Sequence, residues 1–172
     1  MSAASPISIR QGSADDAAGI AEVLNEVIVG GRHSLLDTPF SAEGERQYIE
    51  ALPERSFIHV AETPENGIVA LQTVEPWSGF LTHEFDHVAT MGTWVTAPLR
   101  RRGVGARLAQ ASFAAARAMG YEKVLTELRA DNLESLSYHL SLGFAVVGTA
   151  RRHARLHGRD IDVVFIEHFL EG

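Results

Sequence analysis

The chain of 172 residues contains no cysteine. This absence excludes a disulfide framework and a cysteine nucleophile. No apolar run approaches the roughly 20 residues that a membrane-spanning helix requires, and the start of the chain lacks the basic, apolar, small-residue pattern of a secretory signal. The sequence therefore predicts a soluble protein of the cytoplasm that does not act on membranes.

Positive charge is also scarce, because Lys and Arg total 15 against 22 Asp and Glu, for a net charge of −7. A net acidic chain argues against a general nucleic-acid binder, which usually carries a basic stripe. It agrees with a cationic amine as substrate, although net charge concerns association and not chemistry. Repeats and low-complexity linkers are lacking as well, so the length predicts one domain over residues 1–172 with a substantial core.

The most informative feature that is present is a basic, glycine-containing loop from Val95 to Ala106, between a predicted strand and a predicted helix. The start of a helix presents unpaired backbone N–H groups and a partial positive charge, which suit a phosphate. Gly103 and Gly105 allow a ligand to come close to the backbone. The loop is interpreted as a pyrophosphate cradle, and a surface loop with a solvated charge run is the alternative.

Two other phosphate motifs do not match this loop. A P-loop requires Lys and then Ser or Thr after its second glycine, and Ala106-Arg107 stand there. A dinucleotide-binding fingerprint requires a third glycine where this chain has Leu108. Neither a P-loop nucleotide site nor a Rossmann-type site is therefore expected.

Hydrophobic periodicity, capping residues and turn signals divide the chain into seven strands and four helices. Strands are predicted near 7–10, 57–62, 68–74, 88–95, 123–129, 145–151 and 161–169, and helices near 13–30, 41–53, 104–119 and 132–143. The order βααβββαβαββ predicts an α/β fold with a mixed, mainly antiparallel sheet and helices on both faces.

The loop resembles the acetyl-CoA motif of the GNAT superfamily of N-acetyltransferases, Gln/Arg-x-x-Gly-x-Gly/Ala, present as Arg100-x-x-Gly103-x-Gly105. Asn132, followed by a helix that closes on Gly143-Phe144, is similar to the second motif of that family. The order of elements is also that of the GNAT fold. The resemblance implies acetyl-CoA as co-substrate, direct transfer of its acetyl group to a primary amine, and no metal. A peptide N-terminal acetyltransferase and a non-catalytic acyl-CoA-binding module are the alternatives.

The same resemblance implies which residues bind acetyl-CoA. The backbone edge of Thr93, Trp94 and Val95 is expected to pair with the pantetheine arm, with an ordinary central strand as the alternative. Asn132 is expected to bond the arm, although it also suits a helix cap. The pyrophosphate is expected at the basic loop, on Arg100, Arg101, Arg102, Gly103, Val104, Gly105 and Ala106.

The catalytic tyrosine of the family, four residues before the glycine of the second motif, is replaced here by His139. We expect His139 to donate a proton to the leaving thiolate or to act as a base when neutral. An ordinary boundary histidine is the alternative. Helical spacing predicts that Leu133, Leu136 and Leu140 form the buried side, so Tyr138 is predicted to lie on the surface or at a dimer contact.

A histidine at this place is a trait of phosphinothricin acetyltransferase-like members of the family, and Pro76-Trp77 is similar to that branch as well. The resemblance implies a small, amino-acid-like amine as substrate and a homodimer. One departure concerns the base, because the glutamate that the branch often carries on its fourth strand is replaced by Thr90. Glu75, Glu84 and Asp86 are the nearest acids in sequence, and none is assigned.

His83-Glu84-x-x-His87 matches the zinc-peptidase motif, in which two histidines one helical turn apart bind the metal. That chemistry requires a helix. The segment follows Trp77-Ser78-Gly79 and runs into strand formers around Gly92. A zinc hydrolase is therefore kept only as an unfavoured alternative.

Overall fold

The computed structural model describes residues 6–77 and 82–170, so the predicted loop at Ser78-Gly79 lies outside the described residues. The strands are β1 (Ser8–Gln11), β2 (Phe57–Thr63), β3 (Gly67–Pro76), β4 (Val88–Val95), β5 (Lys123–Arg129), β6 (Ala145–Leu156) and β7 (Arg159–Phe169). The helices are α1 (Ala17–Gly30), α2 (Ala42–Glu50), α3 (Val104–Ala118) and α4 (Leu133–Ser141). The predicted order of elements is confirmed.

The seven strands form one sheet in the order β1-β2-β3-β4-β5-β7-β6. Every neighbouring pair is antiparallel except β4 and β5, which are parallel. The hairpin between β2 and β3 turns at Asn66-Gly67, and Gly67 has a φ of 64°, which the Asn-Gly signal predicts. The mixed, mainly antiparallel sheet is therefore confirmed.

Strands β4 and β5 separate soon after they begin. Their ladder contains only Val88 opposite Lys123 and Ala89 opposite Val124. On its other side, β4 stays paired with β3 as far as Val95, while β5 stays paired with β7 along its whole length. From residue 90 onward, the backbone edge of β4 that faces β5 is therefore free of strand pairing among the described residues.

The helices cover both faces of the sheet because neighbouring strand residues point to opposite sides. On one face, α1 packs through Ile20 and Val23 against Val60 of β2. On the other face, α3 packs through Leu108 against Ala61, the next residue of β2. Within residues 6–77 and 82–170, no helix combines the length and apolarity needed to cross a membrane.

The buried side of α4 differs from the prediction. Leu133 is 70% exposed and Leu140 is 47% exposed, whereas His139 is buried. The prediction is wrong for Leu133 and Leu140. Leu136 is half-buried and packs against the core, as predicted. Ser135 and His139 line the cavities, so the inward side of this short helix is partly polar.

Candidate active site

The start of α3 presents free backbone donors. Gly103 is the residue before the helix and has a φ of 78°, in the left-handed region that favours glycine. The first helical bond runs from the amide of Arg107 to the carbonyl of Gly103 at 3.1 Å. The amides of Val104, Gly105 and Ala106 therefore have no partner within the helix. Together with the helix dipole, they make this turn suited to an anion.

A groove with a volume of about 340 Å³ runs past this helix start, between β4 and α4. It is lined by all of the sequence-predicted site residues except one, namely Thr93, Trp94, Val95, Arg100, Arg101, Gly103, Val104, Gly105, Ala106, Asn132 and His139. Arg102 is exposed and lies outside the lining. The tertiary structure thus brings together residues from three separate stretches of the chain.

The arginines of the loop differ in their surroundings. Nε of Arg100 donates a hydrogen bond to the carbonyl of Val95 at 2.9 Å, which ties the loop to the end of β4. Arg101 is exposed and has a φ of 60°, a backbone conformation that is uncommon for a residue other than glycine. The tight left-handed turns at Arg101 and Gly103 direct the chain from β4 into α3.

Tyr138 lies at the groove and not on the open surface, so its prediction is wrong. Its hydroxyl donates a hydrogen bond to the carbonyl of Gly105 at 2.8 Å, and burial raises its pKa to about 12. A Cβ on Gly105 would lie 3.0 Å from the Tyr138 ring, so a glycine permits this contact. The leucine spacing misled the prediction, because the side chain of Tyr138 reaches the start of α3, a helix that is distant in sequence.

Thr93 has a fixed side chain. Nε2 of Gln72, which is fully buried on β3, donates a hydrogen bond to Oγ1 of Thr93 at 2.7 Å. Oε1 of Gln72 is buried and has no hydrogen-bond partner within the described part of the chain. No feature of the sequence singled out Gln72, because its role depends on the register of β3 against β4.

A hydrogen bond fixes the tautomer of the neutral His139 ring. Its Nδ1 lies 2.8 Å from the carbonyl oxygen of Ser135, one helical turn earlier. Because a carbonyl oxygen only accepts, Nδ1 carries the proton, and Nε2 of the neutral ring is left with a free lone pair. Burial lowers the pKa of His139, and the bond to Ser135 opposes this shift in part. At neutral pH the ring is therefore neutral and able to accept a proton.

A second cavity, of about 260 Å³, adjoins the groove. It lies under the loop of residues 33–36 that follows α1 and between the separated strands β4 and β5. Both spaces are lined by His33, Thr93, Trp94, Asn132, Ser135 and His139. His139 thus stands where a long groove and a smaller compartment meet, an arrangement that suits transfer of a group between two bound molecules.

Asn132 and Arg129 hold the loop that closes the second cavity. Oδ1 of Asn132 accepts a bond from the amide of Ser135 at 3.1 Å, so the predicted helix cap is present. Nη1 of Arg129 donates to the carbonyl of Gly31 at 2.9 Å, and the rest of its guanidinium binds both oxygens of Asp131 at 2.8 Å. The loop after α1 is thereby tied to the end of β5.

The zinc-like motif does not form the geometry that it requires. Residues 84–87 form turns and not a helix, so His83 and His87 are not one helical turn apart on a helix face. Nδ1 of His83 instead lies 2.9 Å from Oδ2 of Asp86. The described residues contain no cluster of three or more His, Asp or Glu side chains that could hold a metal ion.

Comparison with known proteins gives a consistent result. The model of the acetyltransferase (GNAT) family matches residues 26–144. The L-methionine sulfoximine/L-methionine sulfone acetyltransferase of Pseudomonas paraeruginosa is 24% identical over 93% of this chain and 92% of its own length. The phosphinothricin N-acetyltransferase of Streptomyces viridochromogenes is 25% identical over 96% and 89%, respectively.

A solved structure shares the fold. The structure of an acetyltransferase from Salmonella typhimurium with its cofactor acetyl-CoA superposes with a TM-score of 0.87 at 21% identity, over 98% of this chain and 96% of that chain. The predicted GNAT-type fold is confirmed by this likeness.

Proposed function

This chain belongs to the acetyltransferase (GNAT) family, and we propose that it transfers the acetyl group of acetyl-CoA to the primary amine of a small, amino-acid-like molecule. Relatives that span nearly the whole chain are named for methionine sulfoximine, methionine sulfone and phosphinothricin, all of which carry an α-amino group. The second cavity, with a volume of about 260 Å³, suits a molecule of that size.

The separation of β4 from β5 is the observation that carries the proposal. It leaves backbone groups of β4 without a strand partner, next to a groove that also contains the free amides of α3. Two carbonyls of β4 accept hydrogen bonds from side chains instead, that of Met91 from Oγ1 of Thr126 and that of Val95 from Nε of Arg100. An elongated ligand with an amide-containing arm and a diphosphate at its far end matches both sets of groups.

We assign the diphosphate to the amides of residues 101–106 and the pantetheine arm to the edge of Thr93, Trp94 and Val95. Arg100 and Arg101 add positive charge at the turn, and Arg102 adds it from outside the groove lining. Asn132 is assigned to the CoA arm through the nitrogen of its side-chain amide. This nitrogen donates one hydrogen bond to the carbonyl of His33, at 3.4 Å, and has a second N–H that can bind the arm. Acetyl-CoA supplies the acetyl group as a thioester.

His139 is proposed as the catalytic residue. Its neutral ring, with Nδ1–H bound to Ser135, offers Nε2 as a proton acceptor at the junction of the two cavities. In this role it takes a proton from the attacking nitrogen and returns a proton to the sulfur that leaves. Backbone donors would stabilise the developing charge, and the two cavities orient the reactants.

Three broader proposals accompany this function. Residues 1–172 form one N-acetyltransferase domain, and the enzyme works in the cytoplasm, where acetyl-CoA is found. It pairs as a homodimer, which is supported by exposed apolar side chains at the edge strand β6, where Val146 and Val147 are 51% and 56% exposed. Sedimentation of the full chain at about the mass of a monomer would contradict the dimer.

The test of the function is release of free thiol from acetyl-CoA in the presence of single amines. The panel contains L-methionine sulfoximine, L-methionine sulfone, phosphinothricin, the common L-amino acids, polyamines, aminoglycosides and short peptides. We expect turnover with at least one amino-acid-like amine and formation of its N-acetyl product by mass spectrometry. Turnover with peptides alone would favour the N-terminal acetyltransferase, and binding of acetyl-CoA without any turnover would favour the non-catalytic module.

A further inference from the structure

The second cavity is lined by a carboxylate outside the proposed acetyl-CoA site, that of Glu75. Glu75 lies near the end of β3, is half-buried and lines the cavity. The hydroxyl of Tyr48, on α2, donates a hydrogen bond to Oε1 of Glu75 at 2.6 Å. Oε2 of Glu75 has no hydrogen-bond partner among the described residues, 6–77 and 82–170. One oxygen is thus held by α2 and the other is available to a ligand.

The register of the sheet places Glu75 beside a residue of β4. Glu75 pairs with Thr90 across the antiparallel strands β3 and β4, and both residues line the second cavity. Side chains directly opposite each other in such a pair point to the same face, with Cβ atoms about 4.5–5.5 Å apart. The resemblance noted from the sequence implies a glutamate at the position that Thr90 occupies. A carboxylate on β3 therefore reaches the space that a carboxylate on β4 would otherwise serve.

We propose that Glu75 binds the ammonium group of the acceptor and accepts its proton, in place of a base on β4. Tyr48 is a positioning residue, because its hydrogen bond fixes the carboxylate without touching the acceptor. This inference rests on the proposed function, since it names the group that prepares the amine for attack.

The acetyl transfer balances in protons and bonds when Glu75 and His139 act as the two proton acceptors. An ammonium nitrogen has no lone pair, so one N–H proton passes first to Glu75. The neutral nitrogen then forms the C–N bond to the acetyl carbon, the C–S bond breaks, and the second proton passes to sulfur by way of His139. The products are one amide and one free thiol, and Glu75 returns its proton to water.

A second carboxylate in the same cavity is the competing candidate. Glu127 lies on β5, is exposed, and also lines the cavity. It differs from Glu75 because, within the described part of the chain, no side chain donates a hydrogen bond to its carboxylate. A fixed and partly desolvated carboxylate binds an ammonium group more strongly than a free and solvated one. The geometry therefore favours Glu75.

The experiment compares Glu75→Gln, Glu127→Gln and Glu50→Gln with the wild-type enzyme. The last variant removes the same charge from an exposed position on α2. The acceptor is L-methionine sulfoximine, or the panel amine with the highest wild-type rate if that compound is not turned over. Because loss of a general base costs about 10²–10⁴-fold, Glu75→Gln should lower kcat/KM by at least about 100-fold. The dissociation constant for acetyl-CoA should stay within about twofold, and Glu50→Gln should match the wild type.

Tyr48→Phe tests the positioning role. It should raise KM for the amine and leave acetyl-CoA binding unchanged. In the Glu75→Gln background it should cost nothing further, because the carboxylate that it positions is gone. An additive loss in that background would assign Tyr48 a structural role and contradict this part of the proposal.

Three results would overturn the inference about Glu75. These are a kcat/KM of Glu75→Gln within threefold of the wild type, a larger loss in Glu127→Gln, or a loss of acetyl-CoA affinity parallel to the loss of rate. Failure of the proposed function looks different, because the wild-type protein would then release no thiol with any amine of the panel.

Discussion

Replacement of Gly103 by glutamate tests the proposed diphosphate site most directly. Gly103 precedes α3 with a φ of 78°, lines the groove, and has open space where a Cβ would be. A Cβ at this position has no protein atom within 4 Å, so Gly103→Glu introduces a negative charge at the groove without a clash at Cβ. Any effect on ligand binding is then electrostatic or comes from the backbone conformation.

Two free-energy terms act on Gly103→Glu, backbone strain in the protein and charge repulsion of the ligand. An L-residue in the left-handed region costs roughly 1–2 kcal/mol, and a carboxylate at a helix start regains about 0.3–1 kcal/mol. At about 6 Å and an effective dielectric constant of about 40, one unit charge repels another by roughly 1.4 kcal/mol. The two charges of a diphosphate then oppose binding by roughly 3 kcal/mol, which corresponds to about a hundredfold in the dissociation constant.

The assay is calorimetric titration with CoA, and Gly103→Gln is the matched control because it has the same size and backbone strain without the charge. Gly103→Glu should bind CoA about a hundredfold more weakly than Gly103→Gln at low salt, and the gap should narrow as salt is raised. Both variants should lose thermal stability, about 2–4 °C per kcal/mol of strain, and Gly103→Glu should lose slightly less because its carboxylate interacts favourably with the helix start. Equal affinity of the two variants for CoA would refute the assignment of the diphosphate to this turn.

Three further substitutions probe the residues around the junction of the cavities. His139 must be neutral to accept a proton, and burial lowers its pKa from the ordinary value of 6.5; kcat/KM should therefore fall only as the pH drops below 6.5. His139→Asn should cost about 10²-fold in kcat and remove that limb of the pH–rate profile; a retained limb would assign it to another group. A Cβ in Gly92→Ala would clash with the Trp94 ring at Cη2, so the indole must move, which should cost about 1–3 kcal/mol of unfolding free energy in denaturant titrations. Unchanged stability would contradict this reasoning, because the Trp94 indole would then move away from the new methyl group at no cost in free energy. Tyr138→Phe removes the hydrogen bond to Gly105 and should cost about 1 kcal/mol of stability, with a small rise in the dissociation constant for CoA; a melting curve like that of the wild type would contradict this.

Sequence reasoning worked best where the signal is local to a few residues. The glycine at the start of α3 and the Asn-Gly turn between β2 and β3 are required by backbone conformations that other residues rarely adopt. Strand and helix periods follow from which side chains alternate toward the core. These local rules predicted correctly the order of elements and the position of the basic loop between β4 and α3.

The errors and omissions concern side chains whose surroundings come from elsewhere in the chain. Tyr138 is predicted on the surface or at a dimer contact because helical spacing describes one helix and not the second helix that its side chain reaches. Glu75 could not be chosen from among the nearby acids, because only the pairing of β3 with β4 brings it opposite Thr90. The hydrogen bond from Tyr48 to Glu75 joins residues that are 27 positions apart.

The amino-acid sequence by itself determined the element order, the left-handed turn into α3 and the set of donors there, because these depend on the conformational limits of neighbouring residues. Only the tertiary structure decided that β4 and β5 separate after two paired residues, that His139 stands where two cavities meet, and which carboxylate faces the second cavity with a fixed oxygen. Strand register and helix crossing are set by packing of the whole core, and no short stretch of sequence contains that information.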